Sequence, residues 1–495
     1  MEEKPNILII MCDQFRYDCI HALGNRKIYT PYLDRLVREG LSFSNAYSTC
    51  PVCMPARYTL RTGCEPYHTG FYGNGTPHVL DGQPEDIHER CGSYLAAAMR
   101  ERGYYSFGIG KFHCLPFDED CGYDEQYFTE EGWKDEASSR KDDYFSFMRR
   151  EHPEYNHIEQ LHGERTNMYY VPQMSPFPGE LTVEGYVARR AAGILDRVPE
   201  DKPYFGFVSF VGPHPPCAPP VPFNRMYDPD QMDDPVGGTI EEDHLDDEIP
   251  CMNRHIWADE INDFGARNLK SRYYGEITYI DECIGLLLDK VKSRPDADNT
   301  AIFFMSDHGD LLGDHHGWQK ETYYEQAARV PMLLSWPGRI KPGISRELIT
   351  LTDIFGIVTQ MAGRRELKDG EPVLDAVLNR SAGRDHIFAC YGLPGTRRFK
   401  FMIRKGDWKY IYLSNGGREQ LFNLADDPTE LKNLEKERKD IRDSLREIGR
   451  KACLAPGLKD AMDGQELKAL PFEAEDMGRL RQFAAYRGVT DFSMK

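Results

Sequence analysis

Asn6-Ile7-Leu8-Ile9-Ile10-Met11-Cys12-Asp13-Gln14 is the stretch whose reading decides the fold. Its apolar residues are continuous instead of alternating, which suits a strand covered on both faces, as in a mostly parallel sheet. Three further runs repeat the design. Tyr104 to Ile109 ends in Gly110-Lys111-Phe112-His113, Tyr204 to Val211 ends in Gly212-Pro213-His214, and Ala301 to Met305 ends in Ser306-Asp307-His308-Gly309. Open α/β sheets bind ligands beyond the carboxyl ends of their strands. Four strands that each deliver Asp, Gln, Lys or His at that end therefore predict one shared site. Ile280, Ile284, Leu287, Leu288 and Val291 recur at helical spacing just before the fourth run and predict a covering helix. The expected class is α/β, a mostly parallel central sheet sandwiched by helices.

The chain has 495 residues, 40% hydrophobic and 28% charged, enough for a large core and more than one domain. Its net charge of −19 argues against a nucleic-acid partner. An anionic substrate must then be drawn by a local cationic pocket. The apolar run after Met1-Glu2-Glu3-Lys4-Pro5 is too short for a signal peptide or a membrane span, so a cytoplasmic protein without a membrane partner is expected. Thirteen cysteines, an odd number, fit reduced, buried thiols better than a disulfide framework.

Residues 124–200, aromatic and charged with weak periodicity, and the acidic stretch Tyr227 to Pro250 read as loops over the site, the acidic one as a solvated face. The chain is expected to divide into a catalytic domain at 1–380 and a smaller C-terminal α+β domain at 381–495. In the second, Ile387 to Tyr391, Phe399 to Arg404 and Trp408 to Tyr412 read as strands of an antiparallel sheet, followed by a helix from Leu431 to Arg450. Beyond Ala455 an arm is expected, serving packing or homo-oligomer contacts.

The chemistry centres on Ser48-Thr49-Cys50-Pro51-Val52-Cys53-Met54-Pro55-Ala56-Arg57-Tyr58-Thr59-Leu60-Arg61-Thr62-Gly63. Pro55 suits the first position of a helix, which places Cys53 just ahead of a helix N-terminus, an anion-attracting location. Arg57 adds a planar cation matched to sulfate, phosphate or carboxylate oxygens. Cys50 and Cys53 also form a CxxC pair, a redox or zinc reading that lacks the two further ligands zinc needs.

Cys53-x-Pro55-x-Arg57 followed by Leu60-x-Thr62-Gly63 resembles the signature of the type I sulfatases, with Ala56 where Ser is frequent. Leu421-Phe422-Asn423-Leu424 through Asp427-Pro428, Glu430 and Asn433-Leu434 resembles their C-terminal part. The resemblance implies an alkaline-phosphatase-like fold and a cysteine oxidised by a formylglycine-generating enzyme to Cα-formylglycine, whose hydrated aldehyde attacks the ester. It implies that Asp13, Gln14, Asp307 and His308 hold one divalent cation, Ca²⁺ first, with Mg²⁺ as an alternative for the hard oxygen ligands and Mn²⁺ for the His308 imidazole. Lys111 and Lys320 become anchors of the transferred group, and His113 and His214 share protonation of the leaving oxygen and regeneration of the aldehyde. Asn74 corresponds to a further substrate contact. His68 and His315 are left as pocket-lining candidates and Arg329 as structural. The implied activity is hydrolysis of a sulfate monoester of a saccharide or small molecule. The alternatives are a phosphonate monoester or phosphodiester hydrolase and, in another class, a catalytically silent binding protein.

Overall fold

The computed structural model describes residues 4–474 except 81, 133–135, 159, 164–169, 239–244, 259–260 and 379–380. Its central sheet contains β1 (Asn6–Cys12), β2 (Leu41–Tyr47), β3 (Tyr105–Gly110), β4 (Glu125–Phe128), β5 (Tyr204–Phe210), β6 (Thr300–Ser306), β7 (Met332–Ser335) and β8 (Gly343–Thr350). Their order is β4-β3-β5-β1-β6-β7-β2-β8. Only β7 runs against its neighbours, β6 and β2; the remaining pairs are parallel. β1 is the central strand, with Cys12 opposite both Phe210 and Ser306, so the ends of β5, β1 and β6 lie level.

Successive side chains of β1 point to opposite faces. Leu8, Ile10 and Cys12 join a core that includes helices Val183–Leu195 and Asp263–Lys292; Ile7, Ile9 and Met11 join one that includes Cys53–Thr62, Leu95–Glu101 and Asp353–Met361. Each buried Ile or Leu contributes about 1.5–3 kcal/mol. The stripe Ile280, Ile284, Leu287, Leu288 and Val291 is buried as expected. Residues 124–200 differ from the loop expected: they supply edge strand β4 and the helix Val183–Leu195. Ten of that helix's 13 residues are buried, so it has almost no polar face and little amphipathic period to detect.

The smaller sheet orders β9 (Ile387–Tyr391), β10 (Lys400–Lys405), β11 (Trp408–Leu413) and β12 (Arg418–Asn423) as β12-β11-β10-β9, all antiparallel. Its helix covers Lys439–Ala452 and starts later than expected. Asn433 explains the delay: its amide accepts from Leu421 N (2.9 Å) and donates to Glu419 O (3.1 Å), tying the preceding segment to β12. Gly449 lets this helix approach, since a Cβ there would lie 2.1 Å from the Phe401 ring. The acidic stretch is only partly a solvated face. Asp246 and Glu248 are buried and pair with Lys400 of β10 (2.5 Å) and with Arg398 in the connection before it (3.0 Å). The expected arm includes residues 475–495, which lie outside the described residues. Among the described residues no helix is long and apolar enough to cross a membrane.

Lys409 of β11 is fully buried, its ammonium 2.6 Å from Glu325 and 2.7 Å from Glu430. Tyr47, at the end of β2, donates to Glu325 (2.9 Å) and accepts from Arg404 of β10 (3.0 Å), so ionic contacts stitch the two sheets. Replacing Lys409 by Met leaves two buried carboxylates without their cation. We expect a loss of about 3–5 kcal/mol in chemical denaturation, with an unchanged denaturant dependence if both sheets still unfold together.

Candidate active site

The ends of β1, β3, β5 and β6 place Asp13, Lys111, Ser209 and Asp307 on one rim. Close backbone approach makes this possible. At Gly110 (φ +109) a Cβ would fall 1.8 Å from the Ser209 carbonyl, so only glycine passes the chain from β3 to Lys111. Gln14 (φ 64) and His113 (φ 52) adopt left-handed backbone that non-glycine residues avoid. Such strain persists where surroundings enforce it, as when Gln14 N donates to Asp307 Oδ1 (3.1 Å).

Cys53 is the first residue of the helix Cys53–Thr62, so Pro55 is its third, not its first. The correction has a simple cause: the first four N–H groups of a helix lack intrahelical partners, and proline is tolerated throughout that turn. Cys53 Sγ lies 3.2 Å from both Lys320 Nζ and His308 Nε2 and 3.7 Å from Asp13 Oδ1. Burial alone would raise the thiol's pKa, but Lys111, Lys320 and His308 hold it well below the ordinary range. Asn74 faces this helix end, its Oδ1 accepting from Met54 N at 3.0 Å. Cys50 is elsewhere, beside the Tyr72 carbonyl.

Arg57, one turn into the helix, is buried and distributes its guanidinium over the rim. Nε donates to Asp307 Oδ2 (2.8 Å), Nη2 to Asp13 Oδ2 (3.1 Å), and Nη1 to Ser209 Oγ (2.9 Å) and the Lys111 carbonyl. Asp13 is fully buried, which opposes ionisation, yet Lys111 and Arg57 keep its pKa below the usual carboxylate range. The other oxygens, Oδ1 of Asp13 and of Asp307, each lie 3.7 Å from His308 Nε2. One donor atom each of Asp13, Cys53, Asp307 and His308 falls within a 4.8 Å cluster. Against burial, Asp307 raises His308 to about 9. Gln14 Oε1 accepts from Lys320 Nζ (2.6 Å), and its amide nitrogen donates to Asp310 (2.6 Å) and Tyr170 (3.0 Å).

Lys111 Nζ pairs with Asp13 (2.5 Å) and with Glu131. Glu131 also approaches His214 Nε2 (3.6 Å) and His113 Nδ1 (3.9 Å). Burial, aided by Lys320 and Lys111, lowers His214 to about 4, and its Nδ1 lies 2.7 Å from the Pro215 carbonyl. Lys111, His113, His214 and Lys320 thus gather with the Cys53 cluster. The other candidates do not: His68 pairs with Asp369 (2.6 Å), His315 stacks on Tyr324 (4.0 Å between ring centres), and Arg329 pairs with Glu325 (3.3 Å) over the Tyr17 ring. Sequence reasoning missed Glu131, Tyr170, Ser209 and Asp310. Of these only Asp310 carries a signal, as the third polar group of Asp307-His308-Gly309-Asp310.

Comparison with known proteins shows the family. The sulfatase family profile matches residues 5–363, and one for the N-sulphoglucosamine sulphohydrolase C-terminal region matches 313–451. The chain belongs to the sulfatase family. It is a sulfuric ester hydrolase of the type I, alkaline-phosphatase-like group. An arylsulfatase of Clostridium perfringens is 30% identical over 90% of this chain and 93% of that protein. A choline-sulfatase of Rhizobium meliloti is 28% identical over 87% and 82%. The phosphonate monoester hydrolase of Agrobacterium radiobacter has the same fold, with TM-score 0.74 and 22% identity over 93% of this chain and 97% of that one.

Two consequences can be measured on this sulfatase. Lysine at position 57 cannot reproduce four guanidinium contacts; R57K should lose about 3 kcal/mol of stability in denaturant titration and most turnover. His214 and His315, the latter lowered to about 4 by burial with Lys409 nearby and Asp314 opposing, stay neutral in the folded state. The unfolded chain takes up these protons below its ordinary pKa of about 6.5, so each histidine removes stability as pH falls from there towards about 4. Between about pH 7 and 4.5, H315F should therefore lose about 2 kcal/mol less than the wild type.

Proposed function

We propose that this sulfatase cleaves a sulfate monoester of a saccharide or small molecule through a formylglycine made from Cys53, assisted by one divalent cation at Asp13, Gln14, Asp307 and His308. The observation that carries the reading is Cys53 at a helix N-terminus, 3.2 Å from both Lys320 and His308. The donor set fits a hard cation: two fully buried carboxylates with one oxygen each engaged by Arg57, plus an imidazole nitrogen and an amide oxygen. Ca²⁺ is the first choice, Mg²⁺ or Mn²⁺ the alternatives. A formylglycine at position 53 would supply the attacking oxygen as its hydrated aldehyde, and a cation held by Asp13, Gln14, Asp307 and His308 would supply Lewis-acid polarisation there.

The chain's own residues do the rest. Lys111 and Lys320 neutralise the sulfuryl oxygens, the sulfate taking the place on Lys111 that Glu131 holds. His214 is neutral beside two lysines; a bound sulfate offsets their charge and raises its proton affinity, so it becomes a donor once substrate is in place. His113 shares the remaining proton transfer. Asn74 is assigned a substrate contact at the helix end it touches. The maturing partner is a formylglycine-generating enzyme, and the twelve free thiols besides Cys53 suit a cytoplasmic location.

Peptide mass spectrometry of protein from its native host should show CHO replacing CH₂SH at position 53; an intact thiol in every preparation would overturn the nucleophile. C53A should reduce aryl sulfate turnover by about a thousandfold or more. Chelation should abolish turnover and Ca²⁺ restore it. The second reading, a phosphonate monoester hydrolase, has behind it the fold shared with the Agrobacterium radiobacter enzyme and would replace the first if an aryl phosphonate were turned over as fast as the aryl sulfate.

A further inference from the structure

One turn beyond Arg57, the same helix carries a second buried arginine with a different kind of partner. Arg61 is 9% exposed, and among the described residues no carboxylate pairs with it. Its Nε donates to the Arg57 carbonyl (3.2 Å), its Nη2 to the Phe112 carbonyl, and its Nη1 to Cys114 Sγ (2.5 Å), with Cys121 Sγ at 3.9 Å. The nearby carboxylate of Glu119 is occupied by the hydroxyls of Tyr58 (2.9 Å) and Tyr94 (2.7 Å). A buried guanidinium needs a negative partner. The guanidinium lies over the Tyr58 ring (4.6 Å), and among the described residues sulfur is the group placed to carry a formal negative charge beside it.

The two sulfurs lie 3.4 Å apart and both are buried. A thiol and a thiolate sharing one proton satisfy this arrangement. The Cys114 thiol donating to Cys121, together with Arg61, lowers the pKa of Cys121, while burial raises that of Cys114. The thiolate is the form that attacks disulfides. Access is local: Leu115, Pro116, Asp118 and Asp120, in the turn linking the cysteines, are exposed.

We propose that Cys114 and Cys121 form a reversible oxidation site that takes a small organic disulfide as oxidant and switches the segment carrying Lys111 and His113. The Cys121 thiolate attacks one sulfur of the oxidant, forming a mixed disulfide and releasing one thiolate. Cys114 gives its proton to that thiolate and attacks Cys121 Sγ, closing the Cys114–Cys121 bond and releasing the second thiolate. One protein thiol and one thiolate are oxidised by two electrons, and one small disulfide is reduced to one thiol and one thiolate, the latter taking its proton from water. Closure removes the negative charge opposite Arg61. That cation holds the Phe112 carbonyl, between Lys111 and His113, so its loss of a partner reaches the anion pocket directly.

The cross-link stands independently of the proposed reaction, and its effect on turnover rests on it. The full-length matured protein is treated with oxidised glutathione, alkylated, digested and mass-mapped, with aryl sulfate turnover followed in parallel. The expected result is a Cys114–Cys121 cross-link, lighter by two hydrogens, forming before any other cysteine changes. Turnover should fall about tenfold and recover with a dithiol reductant. Free thiols at 114 and 121 when other cysteines have reacted would overturn the site. A cross-link with unchanged turnover would overturn the switch. The C114S/C121S variant, whatever its own rate, should be indifferent to the oxidant; inhibition that persists in it assigns the effect elsewhere and overturns the proposal.

Discussion

The guanidinium of Arg57 is the contact on which the rest depends. From one helix it reaches Asp307 after β6 (2.8 Å), Asp13 after β1 (3.1 Å), Ser209 of β5 (2.9 Å) and the carbonyl of Lys111 after β3. Its rigid fork of donors fixes the helix against four strand ends at once, a task a flexible ammonium cannot perform. Cys53 lies one turn earlier on that helix, so the side chain that positions the helix also positions the residue proposed to become the nucleophile. Asp13 is held ionised in a dry interior because this cation and Lys111 lie beside it, whereas at Asp307 burial raises the pKa and His308 and Arg57 oppose it.

The chain's charge of −19 and its cationic pocket are compatible because the pocket's charges are local and buried. Lys111 and Lys320 are almost fully buried; burial disfavours their charge, yet Asp13 and Cys53 raise both pKa values. Coulomb attraction strengthens as water is excluded, so a few enclosed cations outweigh a diffuse negative surface at short range.

Most of the rim was legible because strand ends and the helix start are written in local pattern. The runs ending at Asp13, Lys111, His214 and Asp307 declare themselves by composition, and the Cys53–Gly63 spacing by its motif. What escaped comes from loops and edges. Glu131 and Tyr170 lie in segments without periodicity, and their approach to Lys111 and Gln14 depends on tertiary path alone. β12 (Arg-Glu-Gln-Leu-Phe-Asn) is polar over half its length because it edges its sheet. The helix expected from Leu431 begins at Lys439 because one asparagine prefers a loop contact that composition does not reveal.

The helix that organises the site carries two buried arginines a turn apart, and the difference between their counter-ions separates what is permanent from what can change. Arg57 faces carboxylates, whose charge persists across the physiological range and which have no oxidation chemistry there. Arg61 faces sulfur, whose charge lasts only while the thiol pair is reduced. The first clamp therefore fixes the catalytic geometry, while the second makes its neighbouring arm, Lys111-Phe112-His113, conditional on redox state. Sulfur in that position adds nothing to rigidity that oxygen would not provide, and its distinctive property is that its charge can be removed and restored.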